Sequence, residues 1–255
     1  MVMISGTKPT GGKNYGHIPH LPGSRMGPGD HKCHEGQLRI ATEKVRDKHD
    51  RIIVQEKVDG SNVGVARIGD ELFPVGRAGY LACSSPHLQH RYFYNWVFTQ
   101  YERFMSVLQP GERLCGEWLA QAHGTRYKLF HEPFVVFDLM KGNDRVTYDE
   151  LINRTAGCNF VLPRLIHRGG SFSIESVLKE IQISGHGAID PVEGAVWRIE
   201  RDELVHPGKS SERKWKVDFL TKYVRPDKID GLYLPEVSGK EAIWNWEPNK
   251  GDNDV

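Results

Sequence analysis

No stretch of the 255 residues is apolar for long enough to cross a bilayer, and the N-terminal residues lack the apolar run of a signal peptide, so neither a membrane span nor secretion is expected. The net charge is only +1, which leaves no global basic field; any contact with nucleic acid has to rest on a local patch. Cysteines are few: Cys33, Cys83, Cys115 and Cys158 are widely spread and form no CxxC pair. That argues against a disulfide framework and for reduced thiols in a cytoplasmic protein. No internal repeat is present, and strands do not alternate regularly with helices. The length suits one large domain or two small ones. Residues 1–36 gather His17, His20, His31, Cys33 and His34, but at spacings that fit no standard zinc pattern. Rich in Gly and Pro and without an apolar period, they are expected to form an irregular arm. It carries Lys13, Arg25 and Lys32 and could lie over a phosphate-rich cleft, but a plain arm covering a sheet edge is the simpler reading.

What is present is organised around Arg51–Val65 (RIIVQEKVDGSNVGV). Ile52, Ile53 and Val54 predict a strand. Side chains alternate along it, so Lys57 and Asp59 share a face that Val58 does not. Gly60 permits a tight turn or close approach of a ligand to the backbone. A lysine held in this way can act as a covalent nucleophile. On these residues alone, a surface lysine before an ordinary Asp-Gly turn is the plainer reading.

Leu38–Val45 reads as a short strand or turn. Val63–Ile68 and Glu71–Val75 alternate, and Gly69-Asp70 fits the turn between them, giving an antiparallel meander directly after the lysine. Ser85 followed by Pro86 predicts a helix start. Tyr92, Trp96, Val97, Tyr101, Phe104, Met105 and Leu108 recur at helical spacing over 86–108, as a core stripe rather than a base-stacking platform. Strands are predicted at Arg113–Leu119 and Phe134–Met140, separated by a polar loop with His123, Arg126 and Lys128. Thr147 and Glu150 form a capping box for a short helix, and Ser173–Ile183 is another. Val192–Glu200 and Arg213–Phe219 alternate as strands, the second placing Lys214 and Lys216 on one face. The tail after Asp230 carries Trp244 and Trp246 and ends in a polar stretch expected to be disordered. Short strands dominate, with hairpins and a few helices, so the fold class is α+β with antiparallel sheets.

Charged residues recur on or beside these apolar strands: Lys57, Asp59, Arg77, Glu117, Glu193, Lys214 and Lys216. One such charge is usually a solvated face. So many in one sheet system point to a polar cleft, where buried charge must be paired or bind ions. A free lysine near pKa 10.4 is neutral in about one molecule in 2500 at pH 7. Neighbouring lysines and a divalent cation lower that pKa, while Asp59, Glu117 and Glu193 raise it. The carboxylates therefore call for a metal, Mg2+ (or Mn2+), to neutralise them.

The order and wording of these segments resemble the covalent nucleotidyltransferase superfamily of ATP-dependent RNA and DNA ligases and mRNA capping enzymes. EKVDGSN resembles its nucleophile motif, VGR the arginine motif, CGEWL the third motif, FVVFDL the aromatic motif, VEGAVWR the Glu-Gly motif and KWKVDF the closing Lys-x-Lys. The match spans roughly residues 38–220, and GEWLAQAHGTRY with FVVFDL is most similar to the RNA ligase family, including relatives of RNA ligase 2. The resemblance implies a nucleotidyltransferase (adenylation) domain over 37–230, between the arm and a C-terminal tail at 231–255. It implies an ATP-dependent polynucleotide ligase, RNA first and a minimal DNA nick ligase as the alternative, with a non-catalytic nucleotide- or RNA-binding module as a further reading. Residue by residue it implies that Lys57 takes AMP as a phosphoramidate. Asp59 and Asn62 place the phosphate and metal side of the nucleotide, and Arg77 contacts the ribose or an incoming 5′-phosphate. Glu117 accepts from the ribose hydroxyls, Phe137 stacks on adenine, and Glu193 binds the metal. Lys214 and Lys216 hold the α-phosphate, and Glu56 joins the nucleotide-binding set. Asp59 stands where many RNA ligase 2 relatives have His, so the first motif alone does not separate RNA from DNA ligases. The roughly 39 residues after Lys216 are too few for the OB-fold domain that follows this module in DNA ligases and capping enzymes. The arm, the 121–128 loop or a partner protein is then expected to bind the polynucleotide, and ATP is favoured over NAD.

Overall fold

A computed structural model describes residues 6–205 and 212–247. In chain order the elements are α1 (Glu35–Thr42), β1 (Asp50–Lys57), β2 (Ser61–Ile68), β3 (Glu71–Gly76), α2 (Leu88–Thr99), α3 (Tyr101–Val107), β4 (Glu112–Trp118), β5 (Phe134–Lys141), β6 (Asp144–Arg145), α4 (Tyr148–Ala156), β7 (Leu165–Gly169), α5 (Ile174–Glu180), β8 (Gly194–Leu204), β9 (Arg213–Val224) and α6 (Pro235–Ser238). The strands form two antiparallel sheets, one in the order β7-β1-β8-β9 and one in the order β3-β2-β4-β5-β6. This is the α+β class expected from the hairpin-rich pattern.

The lysine strand and the β2–β3 hairpin do not share a sheet. The chain leaves the first sheet at Lys57, which pairs with Gly194, and enters the second at Ser61, which pairs with Trp118. Val58–Gly60 therefore bridge the sheets. A Cβ on Gly60 would stand 2.5 Å from the Trp118 carbonyl oxygen, so only glycine permits this crossing. Each sheet buries its outer face against helices. Ile52, Val54, Trp197 and Ile199 pack with Ala41 of α1 and Val177 of α5, while Val63, Val65, Leu114, Trp118 and Phe134 pack with Phe93, Val97 and Phe104. The opposite faces look into the space between the sheets.

Several elements differ from the sequence reading. Leu38–Val45 was expected as strand or turn; residues 35–42 are instead helical, with the Gln37 side chain accepting from the His34 N–H at 3.1 Å. The Ser85-Pro86 start is displaced, because α2 begins at Leu88 and Ser85 Oγ serves the His87 N–H and the His90 ring. The long helix is divided at Gln100, but its stripe is core as expected, with Phe93 added. Thr147 caps its helix as read; the helix expected over Ser173–Ile183 runs Ile174–Glu180, with Ser173 as its cap. The arm hydrogen-bonds along β9, the edge of the first sheet, through Leu21 N to Lys222 O, Lys222 N to Pro19 O and Arg25 N to Val224 O. It therefore covers an edge, and it also reaches the inter-sheet space. Trp244 and Trp246 pack on the second core, and Asn245 donates to Leu119 O. The polar end from 248 lies outside the described residues. Among the described residues, no helix is long and apolar enough to cross a membrane, and no three His, Cys, Asp or Glu side chains form a metal cluster, the arm histidines included.

Candidate active site

Lys57 ends β1 beside an open cleft between the sheets. One wall comes from the first sheet: Gln55, Val196, Arg198, Leu220 and Lys222. The other comes from the second: Asn62, Arg77, Glu117 and Phe137. The arm closes one side with Tyr15 and Ile18; the Tyr15 ring meets Phe137 edge-on at 4.9 Å. Tyr15 Oη donates to Asp138 at 2.5 Å, and the buried Asp138 is paired with Arg198 and Arg145. An apolar slot beside Phe137 thus adjoins a cationic region around Lys57, Lys222 and Arg77. A polar cavity opens on the other side of Lys57 and is lined by Asp59, Glu117 and Glu193.

β pairing dictates how the charged groups meet. Gly194 opposes Lys57, so the preceding residue, Glu193, brings its Oε2 to 2.5 Å from Lys57 Nζ. Asn62 opposes Glu117 in the other sheet, and the Glu117 carboxylate accepts from the Gly60 N–H at 3.3 Å. Asn62 lines both cavities, and its Oδ1 is buried without a hydrogen-bond partner among the described residues. Burial alone would lower the Lys57 pKa, but Glu193, Glu117 and Asp59 outweigh it and hold the amine protonated. Burial also pushes Glu117 up to about 7, with Glu193 and Asp59 adding to the effect, and raises Glu193.

Lys214 and Lys216 are not part of this cleft. Both are exposed at the far end of β9, where Lys214 opposes Glu203 and the Lys216 side chain is 60% exposed. The lysine that β9 delivers is Lys222, opposite Val196 and 15% exposed. Burial and then the like charge of Lys57 depress its pKa, which places it within electrostatic reach of the nucleophile candidate. β9 runs to Val224, and a register shift interrupts its pairing at Ile199/Glu200, so the two lysines of KWKVDF fall past the cleft. Glu56 borders the cleft, but its carboxylate points to the other side, accepting from Ser184 Oγ at 2.6 Å and Gly185 N at 2.7 Å. Asp59 is committed to Lys228 at 2.8 Å and to the Gly124 N–H at 2.8 Å. In the 121–128 loop, Arg126 is paired with Asp190 and His123 with Gln89. Tyr15, Lys222 and Lys228 carried no sequence signal that distinguished them from ordinary strand and loop residues, and Arg198 was read only as the end of VEGAVWR.

A family model of RNA ligases matches residues 50–224. The chain belongs to the RNA ligase family. That stretch holds β1 through β9, and so every strand that walls the cleft. Comparison with curated proteins returns no match. Solved structures similar to this RNA ligase family chain include a candidate ATP-dependent DNA ligase from Aquifex aeolicus, at 19% identity over 82% of this chain and 49% of that one, with a TM-score of 0.45. An archaeal ATP-dependent RNA ligase is 20% identical over 69% and 44%, with a TM-score of 0.40. A Naegleria gruberi RNA ligase variant with ATP and Mn is 14% identical over 81% and 58%, with a TM-score of 0.47. The chain spans about half the length of these structures.

Proposed function

We propose that the chain is the adenylyl-transferring part of an ATP-dependent polynucleotide ligase, with RNA as substrate and Lys57 as nucleophile. The observation that carries the proposal is the Lys57 amine at the cleft mouth, 2.5 Å from Glu193, in a chain of the RNA ligase family. Lys57 Nζ, once neutral, attacks the α-phosphorus of ATP. The N–P bond forms as the bond to pyrophosphate breaks, and one of the two amine protons passes to the departing pyrophosphate or to solvent. A 5′-phosphate oxygen of the polynucleotide then takes the AMP from Lys57. A 3′-hydroxyl displaces AMP to form the phosphodiester.

The chain's own residues supply position and charge. Phe137, Val196 and Leu220 offer the apolar slot for adenine, and Glu117 lies where ribose hydroxyls can donate to it. Lys222, in place of Lys214 and Lys216, meets the phosphates from one sheet and Arg77 meets them from the other. These contacts matter most as charge builds on the phosphate and the leaving group. Glu193, with Glu117 beside it, is the donor for a divalent cation; Mg2+ suits a site with one or two carboxylates completed by substrate phosphates, and when bound it neutralises both. With no cation on it, Glu193 favours the protonated form of Lys57.

We further infer that the polynucleotide or a partner protein is engaged around the polar cavity beyond Lys57, and that the chain acts in the cytoplasm, which its four free cysteines favour. The test is incubation with ATP labelled at the α-phosphate plus Mg2+. Wild type should become labelled, Lys57→Ala and an EDTA-treated sample should not, and nicked duplexes with RNA or DNA on each side of the nick should show RNA preferred at the 3′-hydroxyl. A labelled Lys57→Ala protein would refute the assignment.

A further inference from the structure

Lys228 is a buried cation that the adenylylation chemistry does not use. It is 9% exposed, its Nζ lies 2.8 Å from Asp59 Oδ2, and it also donates to the Thr125 hydroxyl. The same Asp59 oxygen accepts from the Gly124 N–H at 2.8 Å, and the Asp59 N–H donates to Tyr127 Oη at 2.9 Å. Gly124 is required for this meeting: a Cβ there would lie 2.9 Å from Lys228 Cε and 2.5 Å from the Ile229 carbonyl oxygen. Three segments therefore converge on Asp59. They are the turn that carries Lys57, the 121–128 loop, and the stretch after β9. That stretch is pinned at one end by Arg225 N to Glu193 O at 2.9 Å and at the other by Tyr233 N to His123 O at 2.7 Å.

Asp59 is two residues from Lys57 and attracts its ammonium. A buried carboxylate without a counter-ion takes the nearest one available. We propose that Lys228 is a positioning residue for the Lys57 amine: by occupying Asp59 it keeps that carboxylate from drawing Lys57 away from the nucleotide cleft, so that transfer of AMP depends on the segment after β9 being docked. This rests on the proposed adenylylation by Lys57.

The experiment measures single-turnover labelling from α-labelled ATP and Mg2+ for wild type, Lys228→Met, Lys228→Arg, Asp59→Asn and Asp59→Asn/Lys228→Met, with thermal unfolding of each. The expected result for Lys228→Met is a labelling rate at saturating ATP that falls about tenfold or more, with half-saturation by ATP held within about twofold, since orientation and not binding is lost. Lys228→Arg keeps the charge and should recover most of the rate. The double variant should label no more slowly than Asp59→Asn alone, because Lys228 acts through Asp59. Wild-type rate in Lys228→Met would overturn the inference. So would parallel loss of rate, ATP affinity and melting temperature without recovery by arginine, or additive losses in the double variant. A wild-type protein that takes no label would instead refute the proposed function.

Discussion

Replacing Lys222 separates the structure from the sequence motif most sharply. Lys222→Met keeps a side chain of similar length on the cleft wall that Lys222 shares with Leu220 and removes one ammonium from it. A charge-assisted contact contributes roughly 1.5–3 kcal/mol, which corresponds to adduct formation slower by roughly 10- to 150-fold. The fold should tolerate the change. Burial already disfavours the Lys222 charge, and its ion-pair contact, Asp30, lies 3.9 Å away, so the melting temperature should hold or rise. Lys214→Ala and Lys216→Ala remove exposed charges at the far end of the strand, the latter 3.9 Å from Glu203. Such surface changes are usually within about 0.5 kcal/mol, so labelling should stay within about twofold. The assay is the rate of label transfer from α-labelled ATP in a single turnover, under identical Mg2+. Loss of labelling in Lys216→Ala with normal labelling in Lys222→Met would refute the register argument and restore the motif reading.

Further outcomes follow from the same geometry. Burial pushes Glu117 up to about 7 from 4.5, so the folded chain retains a proton there that the unfolded chain releases. The associated stability is present below the unfolded value and is lost as pH rises through the folded one. Glu117→Gln cannot ionise and should therefore gain about 1–3 kcal/mol over wild type near pH 8 and almost nothing near pH 4 in urea unfolding; an equal gain at both would refute the linkage. Arg198→Met removes one of two arginines from the buried Asp138 but leaves Arg145 and Tyr15 as partners, so it should cost about 1–3 kcal/mol, read as a lower melting temperature. Gly60→Ala forces a Cβ against Trp118 O and should abolish labelling even in protein that remains folded; normal labelling would show that the crossing between sheets has slack.

The strands were legible because their apolar periods are long. β1, β4, β5 and β8 fall within a few residues of the pattern, and the charged set on β1, β4 and β8 meets in one cleft because antiparallel pairing puts Gly194 opposite Lys57 and Glu117 opposite Asn62. Three things were not legible. Which lysine of β9 faces the cleft depends on the length of β9 and on one register shift, neither of which leaves a trace in the spacing of KWKVDF. The first helix was hidden because its apolar positions, Leu38, Ile40 and Ala41, are few and interspersed with charge. The contribution of the arm came from long-range pairing of irregular backbone to β9, which periodicity does not report. Asp59 was read from its motif as facing the nucleotide. Its partner, Lys228, lies 169 positions away along the chain, beyond the reach of local pattern.

The most direct measurement is mass spectrometry of peptides from protein incubated with ATP and Mg2+ under conditions that preserve phosphoramidates. AMP bonded to the Lys57 side chain, and absent after Lys57→Ala, is the predicted result. AMP on Lys222, Lys228 or any other residue, or none at all in folded, metal-supplied protein, would contradict the account.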